Sequence, residues 1–174
     1  MPRRMIAAIA AASFVLQPAA ALAYRLVDDG DVRRFEVEEG ASLVIETKSG
    51  RIRVESGETN GIVVRIETVV RAPSKSEARK ILARIAFDIE SSPRRVSLGA
   101  DLPRLRSTGL FAGALGDRTS VAVNYLVVVP RRTDLDLVSR NGDIDVRDVE
   151  GAFFIETGNG DVAARGLAGE GTLK

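Results

Sequence analysis

The stretch LDLVSRNGDIDVRDVEGA, residues 135–152, is followed at once by FFIETGNGDVAARGLAGE, residues 153–170. Shifted by 18 residues, the two segments share five identical positions and the same apolar spacing. The identical pairs are Asn141 with Asn159, Gly142 with Gly160, Asp143 with Asp161, Arg147 with Arg165, and Gly151 with Gly169. A fixed period with matching apolar and turn positions indicates a structural repeat.

A third copy lies much earlier, at LVIETKSGRIRV (residues 43–54), where Ser49 and Gly50 occupy the Asn-Gly place. In each copy, alternate residues are apolar before the glycine and after it, which is typical of half-buried strands. The apolar positions change parity at the glycine, as a two-residue corner requires. Asn and Gly tolerate positive φ, so the sequence predicts repeat corners in all three copies. The predicted corner residues are Ser49, Gly50, Asn141, Gly142, Asp143, Asn159, Gly160 and Asp161.

Two mainly β architectures satisfy this pattern. One is a β-solenoid or β-roll-like stack, in which each copy turns a corner and lies on the previous one. The other is an antiparallel β-meander sandwich, since Asn-Gly is also a common hairpin turn. The near-identical spacing favours the stack, because each copy then presents the same surface to its neighbour.

Other segments complete the predicted fold. SKSEARKILARI has helical apolar spacing and a capping-box start at Ser74, which predicts one covering helix over about 74–86. VAVNYLVVV, residues 121–129, is apolar on both alternating faces, so it predicts a central strand covered on both sides. FDIESSPRRVSL predicts two short strands joined by a Ser-Ser-Pro turn.

Residues 1–23 have the three regions of a cleavable signal peptide. A basic MPRR is followed by a short apolar run and by ALA at Ala21–Ala23. We therefore expect an exported protein, periplasmic, at the cell surface or secreted, with no transmembrane segment in the mature chain. The predicted single domain is 24–174, and GTLK at its end falls where a further repeat would begin, so it ends inside a repeat.

Composition excludes several classes of function. The chain has no cysteine and no histidine, which removes disulfides, thiolate or imidazole metal sites, and Ser–His or Cys–His catalysis. Without the first 23 residues, 23 basic residues face 24 acidic ones, and this neutrality argues against a nucleic-acid partner. We predict a protein that is not an enzyme and has no cofactor.

The order of the segments resembles a known family. SGRIRV, SKSEARKIL, VNYLVVVP, NGDIDV and GNGDVAA follow one another across roughly residues 35–174. This order is similar to that of the bacterial β-strand-repeat family of unknown function often labelled "putative adhesin". The resemblance implies an extracytoplasmic β-solenoid-like domain, and it supplies no catalytic residues.

Three groups of residues are candidate binding sites. Asp143 and Asp161 would stack about 4.8 Å apart, either as a calcium-binding ladder or as solvated turn residues, and the latter is favoured because ligands are few. Arginine is in excess between residues 94 and 132, which suggests a patch for anionic glycan or lipid head groups at Arg94, Arg95, Arg131 and Arg132. Residues 107–117, STGLFAGALGD, form either a sticky loop tip or a cap on the core.

The acids Asp134, Asp136, Asp143 and Asp145 alternate with apolar residues, as on a solvent face, so they argue only weakly for a glycan-active enzyme. The leading hypothesis is a non-enzymatic adhesin or envelope surface-binding module. The alternative is a structural or regulatory envelope protein that pairs with a partner protein, or with itself, by strand addition at its open C-terminal edge.

Overall fold

The structure, a computed structural model, describes residues 24–103 and 119–174. The predicted signal peptide (1–23) and the loop 107–117 lie outside the described residues. The described elements are β1 (Tyr24–Glu36), β2 (Ser42–Thr47), β3 (Ile52–Ser56), β4 (Gly61–Ala72), α1 (Lys75–Leu82), β5 (Ala86–Ser92), β6 (Arg95–Asp101), β7 (Ser120–Val129), β8 (Asp134–Ser139), β9 (Ile144–Arg147), β10 (Phe153–Thr157), β11 (Val162–Arg165) and β12 (Gly171–Leu173).

The strands form two six-stranded sheets, as expected for a mainly β chain with one helix. Sheet A has the order β1-β4-β7-β3-β9-β11, and sheet B has the order β12-β10-β8-β2-β6-β5. Each repeat contributes one strand to each sheet, since the chain crosses from sheet B to sheet A at the glycine corner. The apolar residues of both sheets meet in one core, so burial is shared between neighbouring copies.

The 18-residue alignment is confirmed at the level of register. In sheet B, Leu135 pairs with Phe153 and Leu137 with Ile155. In sheet A, Ile144 pairs with Val162. The earlier copy lies on the same frame, because Leu43 pairs with Leu135 and Ile52 with Ile144. All these pairs are parallel, which is the stacked arrangement and not the antiparallel meander.

The structure has a fourth coil that the sequence repeats do not reveal. It lies beside the first copy, on the side away from the copy that contains Asn141. β6 pairs in parallel with β2, and β7 pairs in parallel with β3, so β6 and β7 occupy the places of a repeat without its corner sequence. The first copy in the sequence is therefore the second coil in space. Long connections separate it from both of its neighbours, and no local pattern records that order.

Antiparallel strands close this end of the stack. β7 pairs with β4, and β4 with β1, in sheet A. The predicted pair of short strands is confirmed as β5 and β6, which are antiparallel and meet at Ser92 and Arg95. The predicted strand over 121–129 is central, between β4 and β3, but the prediction that both faces are covered is wrong. Leu126 on its outer face is 37% exposed.

The predicted helix is confirmed but is shorter than expected. The Ser74 side chain accepts a hydrogen bond from the Glu77 N–H (3.2 Å), as the capping box predicts. Ala78 and Ile81 are buried against β4 and β1. The helix ends at Leu82, whereas the apolar spacing continued to Ile85, because residue 86 already begins β5.

The corner glycines fix how closely the coils approach. Gly50, Gly142 and Gly160 all have positive φ, of 132°, 148° and 152°. A Cβ on Gly142 would collide with the carbonyl oxygen of Gly50, and one on Gly160 would lie 2.6 Å from the carbonyl oxygen of Gly142. Neither contact is sterically allowed, so glycine is required here for space as well as for backbone conformation.

We expect Gly142→Ala to lower the free energy of unfolding by about 2–4 kcal/mol, because it adds a backbone clash to an unfavourable φ. Gly40→Ala is the matched control: its φ is +75° but a Cβ there has nothing within 4 Å. It should cost only about 1 kcal/mol. Urea unfolding of both variants measures the difference. Equal decreases in the free energy of unfolding would show that adjacent coils can move apart at Gly142 without losing stability.

Within the part of the chain that the structure describes, Tyr125 is the largest fully buried side chain, and its hydroxyl has no hydrogen-bond partner there. Burial raises the pKa of Tyr125 from 10.0 to about 12. Because an unpaired buried hydroxyl is unfavourable, we expect Tyr125→Phe to be more stable than the parent protein by about 1 kcal/mol at neutral pH.

The advantage of Tyr125→Phe should widen as the pH rises from 10 towards 12. The unfolded tyrosine ionises first in that range, which lowers the stability of the parent protein and leaves the variant unaffected. Urea unfolding at several pH values tests this, with Tyr24→Phe on the edge strand as the control. A variant less stable than the parent at neutral pH would show that the hydroxyl does have a partner.

Candidate functional site: the corner groove of sheet A

The predicted corner residues stack in a column along one edge of the molecule. The backbone hydrogen bonds of the sheets continue through the corners, since the Gly50 N–H donates to the Asn141 carbonyl (3.0 Å) and the Gly142 N–H donates to the Asn159 carbonyl (2.8 Å). Stacking therefore brings side chains from distant parts of the sequence into line, about one strand spacing (roughly 4.8 Å) apart.

The corner asparagines form a side-chain ladder. Asn159 Nδ2 donates to Asn141 Oδ1 at 3.0 Å, and Asn141 Nδ2 donates to the Lys48 carbonyl at 3.1 Å. Each amide thus bonds to the coil before it. The positive φ of the corners is supplied by the glycines and not by the asparagines, since Asp148 is the one non-glycine residue with positive φ among the described residues. Asn141 and Asn159 therefore stabilise the corner through their side-chain hydrogen bonds.

A second row of polar groups crosses the outer face of sheet A. We call it the polar ladder, and it consists of Glu67, Asn124, Arg51, Asp143 and Asp161. Asn124 Nδ2 donates to Glu67 Oε1 (3.1 Å), and the Arg51 N–H donates to Asn124 Oδ1 (2.9 Å). The Arg51 guanidinium donates to Asp143 Oδ2 (3.2 Å), and the Asp161 N–H donates to Asp143 Oδ1 (3.2 Å). The row is therefore hydrogen-bonded from β4 to the corner that precedes β11.

Asp143 is held in its charged form by these contacts. The hydrogen bond from the Asp161 N–H, followed by that from Arg51, lowers the pKa of the Asp143 carboxyl below its ordinary value. A carboxylate with a lowered pKa is a poor general acid, since it does not hold a proton near neutral pH. The arrangement keeps a negative charge on Asp143 near neutral pH.

The calcium alternative has little support in this geometry. Both Asp143 oxygens already accept hydrogen bonds, and Arg51 occupies the matching place in the adjacent coil. Residues 24–103 and 119–174 contain no cluster of three or more acidic side chains suited to a metal ion. The Asp143 carboxylate is therefore engaged by Arg51 and by the Asp161 N–H, and its oxygens are not free to bind a calcium ion.

The polar ladder lines an open groove on sheet A. Its walls are formed by Arg51, Glu67, Asn124, Leu126, Asn141 and Asp143. Five of the eight predicted corner residues lie here, namely Ser49, Gly50, Asn141, Gly142 and Asp143. Asn159, Gly160 and Asp161 continue the same edge one coil further along. We call this groove the corner groove.

A second charged cluster borders the corner groove on β3 and β9. Arg147 forms a salt bridge with Asp145 (2.8 Å), and Arg53 lies 3.5 Å from the same carboxylate. The hydrogen bond to Asp145 raises the pKa of Arg147. Asp145 is thus shared by two arginines, and the cluster is rigid and paired.

The structure places the four predicted patch arginines at or near the opposite edge, but three of them are paired. Arg94 binds Glu38 (2.9 Å), Arg131 binds Glu150 (2.8 Å) and Arg132 binds Glu39 (2.8 Å). Arg95 is exposed and has no ion pair among the described residues. The local excess of positive charge in the sequence is therefore largely balanced by glutamates from other segments.

The four acids considered for glycan cleavage do not converge. Asp134 and Asp136 belong to β8 in sheet B, whereas Asp143 precedes β9 and Asp145 lies within it, in sheet A. Asp134 accepts a hydrogen bond from the Ala152 N–H (2.8 Å). Two carboxyls across one cleft are what glycoside hydrolysis requires, and the two sheets separate these pairs.

Sequence reasoning missed Glu67 and Asn124. Asn124 is the one polar residue inside the apolar run 121–129, and its outward position follows from the alternation of that strand. The alternation of this strand was therefore sufficient to predict an outward-facing amide at Asn124. Glu67 gave no comparable signal, because a carboxylate on the exposed face of an amphipathic strand is common.

The edge suggested for strand addition is β12, whose three residues are all exposed. Leu173 pairs with Ile155 in register and is 49% exposed. Pairing through this edge stays a prediction. Among the described residues, no helix is long and apolar enough to cross a membrane.

Comparison with solved structures gives matches with low scores. A "putative cell adhesion protein" from Clostridium sporogenes has 8% identity and a TM-score of 0.37 over 86% of this chain and 96% of its own. A "putative adhesin" from Bacteroides fragilis has 12% identity and a TM-score of 0.35 over 81% of this chain and 68% of its own. A "putative adhesin" from Parabacteroides distasonis has 9% identity and a TM-score of 0.31 over 84% and 68%.

The chain matches no protein-family model, and no curated protein matches it. Identities of 8–12% and TM-scores below 0.5 are too low to transfer a role from these proteins. Membership of the β-strand-repeat family therefore stays a prediction from the order of the motifs.

We expect the Asp143 carboxyl to titrate below the ordinary range of aspartate, and Arg51→Gln to move its midpoint upward. The variant removes the guanidinium but keeps the Asp161 N–H, so the midpoint should rise only part of the way. Carbon-detected NMR titration measures both, with Arg95→Gln as a control that should leave Asp143 unchanged. An unchanged midpoint in Arg51→Gln would show that the ion pair does not form in solution.

Proposed function

We propose that this chain is an exported, non-enzymatic binding domain of the cell envelope, which recognises an extended, hydroxyl-rich glycan through the corner groove. The observation that carries the proposal is the polar ladder. It presents an amide, a guanidinium and carboxylates in one straight row, at intervals set by the strand spacing. Rigid groups of this kind bind with little loss of side-chain entropy.

The row suits a long partner better than a small one. Glu67 and Asn124 lie on β4 and β7, whereas Arg51, Asp143 and Asp161 lie at the corners that precede β3, β9 and β11, and the groove beside them is open. Donors and acceptors alternate along it, as the hydroxyl groups of a polysaccharide require. An extended chain could contact several coils at once, and binding would gain from each repeat.

The chemistry of the groove supports binding without turnover. The chain has no histidine or cysteine to act as a base or nucleophile near neutral pH. The lowered pKa of Asp143 leaves that carboxyl without the proton that glycoside cleavage needs. The predicted signal peptide over 1–23 supports export, and an exported domain meets envelope glycans.

We expect the double variant Arg51→Ala with Asn124→Ala to bind isolated bacterial envelopes and glycan arrays at least about tenfold more weakly than the parent protein. The control is Ser97→Ala with Asp136→Ala, which changes two outward positions on sheet B and should bind normally. Circular dichroism confirms that both variants are folded.

Two results would contradict the proposal. Equal binding by both double variants would exclude the corner groove as the site. Release of soluble sugar from any polysaccharide, abolished by Asp143→Asn, would show that the domain is an enzyme.

A further inference from the structure

Among the described residues, six of the twelve cations that have no ion pair lie together at a place that the sequence did not single out. The segment from Arg71 to Arg84 holds five cations and one acid, Glu77. Arg25 pairs directly with Arg71 across β1 and β4. We call this group the α1 patch, and its cations are Arg25, Arg71, Lys75, Arg79, Lys80 and Arg84.

The fold gathers these six cations at one end of the molecule. β4 ends at Ala72, and α1 begins three residues later and packs back on β4 and β1. Ala78 and Ile81 face the core, so the charged residues of the helix are left on its exposed surface. All six side chains are exposed.

The α1 patch differs from the predicted arginine patch in its pairing. Within residues 24–103 and 119–174, none of the six cations has a carboxylate within salt-bridge distance. Six cations against Glu77 give these seven residues a net charge of +5, and Asp88 and Asp101 lie on the adjoining strands β5 and β6. Such a surface attracts an anionic partner over about a Debye length, roughly 8–10 Å at ordinary salt.

Two exposed apolar side chains lie close in sequence to cations of the patch. Val27, two residues along β1 from Arg25, is 42% exposed. Phe87, three residues after Arg84, is 39% exposed. A basic surface with apolar groups at its margin is typical of proteins that lie on anionic membranes, where the cations meet head groups and the apolar groups enter the interface.

We propose that the α1 patch docks the domain on an anionic phospholipid membrane surface. Charge alone would admit any anionic partner, and the exposed Val27 and Phe87 favour a bilayer, because a soluble anion gives them nothing to contact. The patch lies apart from the corner groove. The membrane proposal adds a second partner to the proposed envelope role. It depends on the proposed function in one respect, namely that export brings the domain to the envelope membranes.

Vesicle co-sedimentation of the folded protein tests the proposal directly. Vesicles of phosphatidylcholine mixed with phosphatidylglycerol should bind the protein, and vesicles of phosphatidylcholine alone should not. Lys75→Glu with Arg79→Glu should weaken binding by at least about tenfold, because two cations near the surface become anions. Arg140→Glu with Arg165→Glu makes the same change of net charge at exposed positions elsewhere, and it should bind within about twofold of the parent, as expected for charges distant from the docked surface.

The apolar part of the proposal has its own variant. Phe87→Ser should reduce vesicle affinity while leaving its salt dependence unchanged, since it removes no charge. Single reversals, Lys80→Glu and Arg84→Glu, preserve the test if the double variant unfolds.

Three outcomes would overturn the proposal. The first is equal binding to neutral and anionic vesicles, and the second is normal binding by the Lys75 and Arg79 double variant. The third is that this variant loses concentration-dependent self-association while vesicle binding persists, in which case the patch meets a second copy of the chain. None of these results bears on the Arg51 and Asn124 variants, so the two functions are tested separately.

Discussion

The close approach of successive corners is the constraint on which the rest of the structure depends. Parallel strands in register bring each corner backbone against the next, and the corner N–H groups bond to the carbonyls of the neighbouring coil. There is no space for a Cβ at Gly50, Gly142 or Gly160. With glycine there, a strand of sheet B can pass into a strand of sheet A within a few residues, and the apolar positions can change parity while still facing one core.

The same register decides which polar groups become neighbours. Like charges placed opposite each other on adjacent strands destabilise a sheet, and a column of aspartates would do this in every coil. The structure offsets the repulsion at Asp143, since the Arg51 guanidinium stands on one side of it and the Asp161 backbone N–H donates to it from the other. Arg51, which looks like an exception to the repeat in the sequence, is the residue that balances the column.

The sequence predicts the register of the repeats well, because period and parity are local quantities that a strand must obey. Leu135, Leu137 and Ile144 find the partners expected from the 18-residue shift. The spatial order of the coils was not predictable in this way. β6 and β7 belong beside β2 and β3, yet the sequence that connects them has no Asn-Gly or Ser-Gly pair, and β4 and α1 intervene.

Charged sites were predicted less well, because charge counted along a sequence window is not charge in space. The arginines near residues 94 and 132 meet Glu38, Glu39 and Glu150, which come from other segments. These pairs are exposed, and each is worth only about 0–1 kcal/mol, so they do not lock the arginines away. They matter because adjacent opposite charges cancel the field felt at a distance. The α1 patch has no such partners among the described residues, so its field extends into solvent, and a partner attracted by charge should meet it first.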